Sequence, residues 1–141
     1  MSTAPITEFE VKQFMHDWFA KLDVHPSIEV MLPFVTDEKL VMKMPEGPFY
    51  RHEGFKKWYY GVRRFVDQGH EIKGLEIKTD KNGATVKVIV RWVRSVLNET
   101  GVASERGGYY VAQTWELERS QQTQKLQIVK YSVDYFLPAV I

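Results

Sequence analysis

The chain contains no cysteine, which excludes a disulfide framework, a thiolate zinc site and a cysteine nucleophile together. Charge of one sign is also missing. Its 19 Lys and Arg residues stand against 18 Asp and Glu, leave a net charge of +1, and are spread along the whole sequence. Nucleic acid demands a concentrated basic surface, so it is not an expected partner. Met1 to Glu10 lacks the basic start and apolar run of a secretion signal, and no later stretch approaches the length of a membrane span. A cytoplasmic protein without membrane contact is expected. The four histidines are scattered without ligand spacing, and Glu105-Arg106-Gly107-Gly108 lacks the strand-loop-helix context of a phosphate loop. Neither a metal nor a cofactor is expected. No repeat, low-complexity block or linker divides the sequence, so residues 1–141 read as a single domain.

Aromatic residues are plentiful at 13%, and such rings line cores, pockets and subunit contacts. Between Thr7 and Leu22, the residues Val11, Phe14, Met15, Trp18, Phe19 and Leu22 recur at helical spacing and predict a first helix with one apolar stripe. Pro26 suits the first turn of a short second helix carrying Ile28, Met31 and Leu32, which Pro33 should stop or kink. Leu40, Met42 and Met44 alternate with Lys39 and Lys43 as a short strand, followed by a turn around Pro45 to Pro48. A third helix is predicted with Phe55, Trp58, Tyr59, Val62, Phe65 and Val66 on one face, ended by Gly69.

From His70 the period changes to alternation, and Asn82-Gly83 is the strongest hairpin signal in the chain. With these as the two turn residues, Ile77 would face Val88 and Leu75 would face Val90. An extra residue at Lys73-Gly74, forming a bulge, would return Ile72 and His70 to the same apolar face. Two further strands, 108–119 and 125–137, are joined by the polar Ser120 to Gln124 turn. Tyr109, Val111, Gln113, Trp115 and Leu117 share a face on the first; Val129, Tyr131, Val133, Tyr135 and Leu137 share one on the second. Ile89 and Val93 make the outer side of strand 84–94 partly apolar, which predicts a homodimer contact. Helices followed by a strand meander indicate an α+β fold with three helices on one face of a curved, mainly antiparallel sheet.

Four stretches carry a family resemblance: Asp17-Trp18-Phe19-Ala20-Lys21-Leu22-Asp23; Trp58-Tyr59 through His70-Glu71-Ile72-Lys73; Val90-Arg91-Trp92; and Gln113-Thr114-Trp115-Glu116 with Tyr131-Ser132-Val133-Asp134. Together they resemble SnoaL-like proteins of the nuclear transport factor 2-like superfamily over nearly the whole chain. The resemblance implies a cone-shaped α+β barrel, commonly homodimeric, whose open end admits a small organic molecule in the members that bind one. It implies no single activity, because the fold hosts isomerases, dehydratases, epoxide hydrolases, cyclases and transport factors. No catalytic set of the superfamily is complete here. Val41-Met42-Lys43-Met44 offers no carboxylate where ketosteroid isomerases need an Asp, and Arg91 is followed by Trp92 and Val93 rather than the Asp of limonene epoxide hydrolases. His70 falls where the first of the two scytalone dehydratase histidines would, whereas the second has no counterpart between Ala84 and Arg94. Asp134, nearest to the Asp of SnoaL-type cyclases, alternates to the wrong face.

His70 is therefore the candidate catalytic residue, an inner-face imidazole able to exchange a proton near neutral pH. Tyr59, Trp92, Gln113, Trp115 and Tyr131 are candidate ligand-binding residues, with Gln113 needing a hydrogen-bond partner, either a neighbour or a ligand. His16 and His25 lie off the apolar stripe or in a loop, His52 falls near the pocket rim, and Asp17 reads as a solvated acid. The expectation is a pocket for a small apolar or aromatic molecule, serving a cofactor-free lyase, isomerase or cyclase with His70 as acid-base. The alternative is a non-catalytic homodimeric binding or scaffolding module.

Overall fold

A computed structural model describes residues 4–139; residues 1–3 and 140–141 of the expected domain lie outside that range. Helix α1 (Glu8–Val24) starts where the Thr7 side chain accepts the backbone N–H of Glu10 at 3.1 Å, and it ends at His25, whose left-handed backbone has φ 48°. Val11, Met15, Trp18, Phe19 and Leu22 are its buried stripe. Helix α2 (Ile28–Met31) follows Ser27, whose side chain makes no capping bond, and passes into a single 3-10 turn, Leu32–Phe34, that contains Pro33. Pro26 thus precedes the helix rather than entering its first turn. Strand β1 (Val41–Met44) then pairs with β2 (Gly47–Tyr50) across the Pro45-Glu46 turn, so Pro48 belongs to a strand where a longer turn was expected. Only an edge strand tolerates this, and β2 is the edge.

Helix α3 (Arg51–Val62) is shorter than its apolar spacing predicts. Phe65 and Val66 instead open β3 (Phe65–Thr79), where they pair with Val96 and Ser95 of β4 (Gly83–Val96). Residues 62, 65 and 66 fit either period, and the long partner strand decides for β. Gly69 accordingly lies inside β3, beside an irregularity of its pairing, and ends no helix. Strands β5 (Gly107–Arg119) and β6 (Leu126–Pro138) complete a six-stranded sheet in the order β2-β1-β6-β5-β4-β3, antiparallel except for β1 with β6.

The β3–β4 turn is longer than two residues. Asp80 Oδ1 accepts the N–H groups of Asn82 and Gly83 at 2.8 and 2.7 Å, and Thr79 faces Ala84, so Ile77 faces Val86 and Leu75 faces Val88. The register thus moves by two residues, which keeps every side chain on its face. The bulge at Lys73 stands where it was expected, and His70 faces Trp92. Two bulges in β6 were not expected. Glu116 faces Lys130 while Leu117 faces Ile128, and Gln113 faces Val133 while Ala112 faces Tyr135, so Val129 and Asp134 are the inserted residues. Each insertion reverses the inside-outside alternation. Ile128 and Tyr131 therefore enter the core, and Phe136 turns toward the sheet's concave side. Tyr135 and Leu137, predicted to share the face of Tyr131, point away from it and are 57% and 58% exposed.

Trp18 anchors the core, with the rings of Phe34, Phe55, Trp58, Trp115 and Tyr131 all between 5.7 and 6.2 Å from it. At the same end of the molecule Arg119 ties β5 to the start of α1. Its terminal nitrogens donate to both Glu10 carboxylate oxygens at 2.7 Å, and the same guanidinium reaches the carbonyls of Ala4, Pro5 and Gln124. These bonds hold the Glu10 carboxyl below its ordinary value of 4.5. A depressed carboxyl adds stability above its unfolded pKa and loses it as pH falls through the lower folded value. Arg119→Met should cost about 1–3 kcal/mol at neutral pH. Urea titrations at pH 7 and below pH 4 should show that gap narrowing in acid without closing, because the three carbonyl bonds do not titrate.

Candidate functional site

Between the C-terminal ends of α1 and α3 and the concave face of β4, β5 and β6 lies a cavity of about 260 Å³. A dry cavity of about 150 Å³ holds benzene, so this one has room for a substituted ring or a pair of fused rings. Its wall is apolar: Leu22, Trp58, Val62, Phe65, Trp92, Tyr109, Val111, Tyr131, Val133 and Phe136, with Met44 and Pro45 from the β1–β2 turn. Six polar side chains interrupt that wall, namely His25, Glu46, Gln68, His70, Arg94 and Gln113.

His70 is the most constrained of them. Its imidazole lies between Phe19 and Trp92, stacked on both at centroid distances of 5.1 and 6.1 Å, and its side chain is 8% exposed. Nδ1 is 2.6 Å from Oδ1 of Asp23, in the last turn of α1. An ionised carboxylate only accepts, so Nδ1 carries the hydrogen and the lone pair of a neutral ring sits on Nε2. That nitrogen makes no hydrogen bond among the described residues, while the ring lines the cavity. A base with an oriented backing carboxylate is the result.

A second network fixes the neighbouring wall. The indole N–H of Trp92 donates to Gln68 Oε1 at 2.9 Å, and Gln68 Nε2 donates to the carbonyl of Leu22 at 3.1 Å. An indole only donates and a carbonyl only accepts, so the amide orientation is determined. Its remaining hydrogen faces Nε2 of His25 at 2.9 Å, next to the carbonyl of Phe65. Trp92 is thereby pinned to the end of α1.

Of the predicted ligand-binding residues, Trp92, Gln113 and Tyr131 line the cavity. Tyr59 and Trp115 do not. The Tyr59 ring is buried among Phe55 and its neighbours, with its hydroxyl donating to the Pro26 carbonyl at 2.5 Å. Trp115 is fully buried beneath Trp18, and its N–H donates to Gln113 Oε1 at 2.9 Å. That bond answers the question about Gln113: a neighbour satisfies its oxygen. Burial pushes the Tyr131 phenol far above its ordinary range, so it stays a neutral hydroxyl at any physiological pH. His52 does not reach the rim; it lines a separate outer groove and packs its ring nitrogen against the Val35 carbonyl at 3.1 Å. Asp134 lies on the outer side with Thr114 and Ser132, and Asp17 and His16 are exposed. Among the described residues no three His, Asp or Glu converge as metal ligands, and no helix is long and apolar enough to cross a membrane.

Asp23, His25, Gln68 and Arg94 were not singled out from the sequence. Asp23 had a usable signal, because an acid in the last turn of a helix opposes the helix dipole and so needs another reason to be there.

No protein-family model and no curated protein sequence matches the chain. Solved structures do. The chain is similar to nuclear transport factor 2 (Ntf2) from Cryptosporidium parvum, with 13% identity, TM-score 0.71 and 99% of each chain covered. It is similar to hexachlorocyclohexane dehydrochlorinase LinA-type3 from Novosphingobium barchaimii LL02, with 16% identity, TM-score 0.70, and 94% of this chain and 89% of that one covered. A protein of unknown function with a cystatin-like fold from Nostoc punctiforme PCC 73102 aligns with 13% identity and TM-score 0.69 over 94% of this chain and 93% of that one. The fold is thus that of nuclear transport factor 2-like, cystatin-like α+β proteins.

Nitrogen-15 NMR of the neutral histidines should show His70 with its hydrogen on Nδ1. In Asp23→Ala that hydrogen should move mainly to Nε2, the usual tautomer of a free histidine; an unchanged spectrum would mean that Asp23 does not orient the ring.

Proposed function

We propose that the cavity is a proton-transfer site for a small apolar or aromatic molecule, in a cofactor-free lyase, isomerase or cyclase with His70 as acid-base. The observation that carries this reading is the 2.6 Å contact between His70 Nδ1 and Asp23, made by a ring that lines an otherwise apolar hollow. Nε2 takes a proton from a carbon or hydroxyl of the bound molecule, and the Asp23 carboxylate stabilises the imidazolium that forms. Returning the proton to another atom gives isomerisation or cyclisation; loss of a leaving group gives elimination. Negative charge arising on a ligand oxygen would meet neutral donors on the far wall, the Tyr131 hydroxyl and the Gln113 amide. One solved protein of this fold is named a dehydrochlorinase, an elimination enzyme by that name.

Incubation of cyclic ketones, aryl ketones and chlorinated rings with the protein in deuterated water tests the reading by mass spectrometry. Exchange or elimination should fall about 10²–10⁴-fold in His70→Asn, the usual contribution of a general base. A rate indifferent to that substitution would reject His70 as the base.

The outer side of the sheet supports a second element of the reading, a homodimer. Ile89, Ala112 and Tyr135 face one another across three strands, as do Arg91, Tyr110 and Leu137 in the adjacent row. Ile89, Tyr110, Tyr135 and Leu137 are all exposed, a concentration of apolar side chains that a second copy would cover. Val93, expected on the same surface, is instead buried opposite Gly69. Sedimentation should give twice the chain mass, and Tyr135→Glu with Leu137→Lys should return it to one. A monomeric unmodified protein would end this part of the proposal.

A further inference from the structure

Arg94 stands two residues beyond Trp92 on β4, on the same side of the sheet, and lines the cavity. Its guanidinium carbon lies 5.0 Å from the Trp92 ring centroid, 4.8 Å from that of Tyr109 and 6.0 Å from that of Phe65. Rings can satisfy the charge through a guanidinium's faces, but its N–H edges need acceptors. Among the described residues none is supplied. Nε is buried without a hydrogen-bond partner, and no carboxylate lies within ion-pair distance. Glu46, the one acid among the lining residues, is exposed and makes no ion pair with it. Arg94 is half-buried, so a cation set among rings with no carboxylate beside it, its terminal nitrogens still accessible, is disposed to take an anion from a bound molecule.

The backbone opposite makes room for this arrangement. Gly107 faces Arg94 across the β4–β5 ladder, and a Cβ there would come within 2.8 Å of Arg94 Nη1. The glycine lets the guanidinium lie against the strand and keep its place among the three rings.

We infer that Arg94 is the anion-receiving position of the cavity, and that the ligand is a flat apolar molecule bearing a carboxylate. This rests on the reading of the cavity as a small-molecule site, and it narrows the class of substrate. The carboxylate pairs with the terminal nitrogens of Arg94 and the apolar body lies along Trp92. The far end of the molecule then reaches His70, which faces Trp92 from β3. Two residues along a strand span about 7 Å, so the anchored anion and the base are separated by roughly one ring and a substituent. A carboxylate attached directly to the reacting carbon is too short for both; one borne on the opposite side of a ring fits.

Calorimetric titration with 2-naphthoate and with 2-naphthamide, its uncharged isostere, tests the assignment. Unmodified protein should bind the acid at least tenfold more tightly than the amide. Arg94→Met should abolish the preference, whereas His70→Asn should keep it. Gly107→Ala provides a second route that leaves every charge in place: by displacing the guanidinium it should weaken naphthoate several-fold and naphthamide little. Equal affinity for acid and amide, or a preference that survives Arg94→Met, would overturn the role of Arg94 and leave the cavity reading intact. Failure of both compounds to bind would overturn the two together.

Discussion

Alternation along a strand is the constraint on which this site depends, because each bulge reverses it. The bulge at Lys73 brings His70 to the concave side, opposite Trp92, and the one at Asp134 brings Phe136 there while sending Tyr135 and Leu137 outward. Remove either insertion and the side chains beyond it exchange faces. With no Lys73 bulge, His70 would leave Asp23 and the cavity; with no bulge at Asp134, the hollow would lose Phe136 and the outer surface its apolar row. Bulges also add twist, which suits a sheet curved around helices. A single kind of local irregularity thus positions His70, shapes the hollow and exposes an apolar row on the outer side of the sheet.

The contact between Asp23 and His70 joins two elements that could not have been paired by proximity in the sequence. Asp23 sits in the last turn of α1, where the carbonyl ends disfavour an acid. His70 sits in a strand whose other inner residues are largely apolar. Each is out of place alone, and each accounts for the other. Packing rather than charge sets their distance: Phe19, one turn before Asp23 on α1, stacks on the imidazole, so the helix stripe that fills the core also delivers the carboxylate. Substitutions deeper in that stripe, at Val11 or Met15, would therefore disturb the site without touching it.

Much of the fold was legible because it rests on periodicity. The α1 stripe, the turn near Asn82-Gly83, the Lys73 bulge and the two last strands all carried their own signals in residue spacing. The errors share a cause. Val62, Phe65 and Val66 satisfy helical and extended spacing alike, and only the length of β4 decides between them. The β6 bulges have no glycine to mark them, so Val129 and Asp134 looked like ordinary members of an alternating strand. Within the site, His70, Trp92, Gln113 and Tyr131 could be placed by face, because facing is a property of one strand. Asp23, Gln68 and Arg94 could not, since their roles come from partners on other elements. Tyr59 and Trp115 fall outside the cavity because neither helical spacing nor alternation encodes depth; both lie on inward faces but are buried in the core.

Why one end is filled and the other hollow follows from where the helices stop. Trp18 and the five rings around it occupy the space under the middle of α1 and α3, over the halves of β5 and β6 that carry Trp115 and Tyr131. Helix α1 stops at Val24 and α3 at Val62, yet β4 continues through Trp92 and Arg94 and β5 through Tyr109 and Val111. The apolar face of the sheet therefore outruns its cover. Leu22 and His25 from the end of one helix and Val62 from the end of the other line the cavity because they are the last residues available to do so. An uncovered apolar face of this kind costs free energy in water. Part of that cost is met by aromatic side chains closing over one another, as Tyr109 and Phe136 do with centroids 5.2 Å apart. What remains is a largely apolar concave surface in which the Arg94 guanidinium lies embedded between the rings of Trp92 and Tyr109.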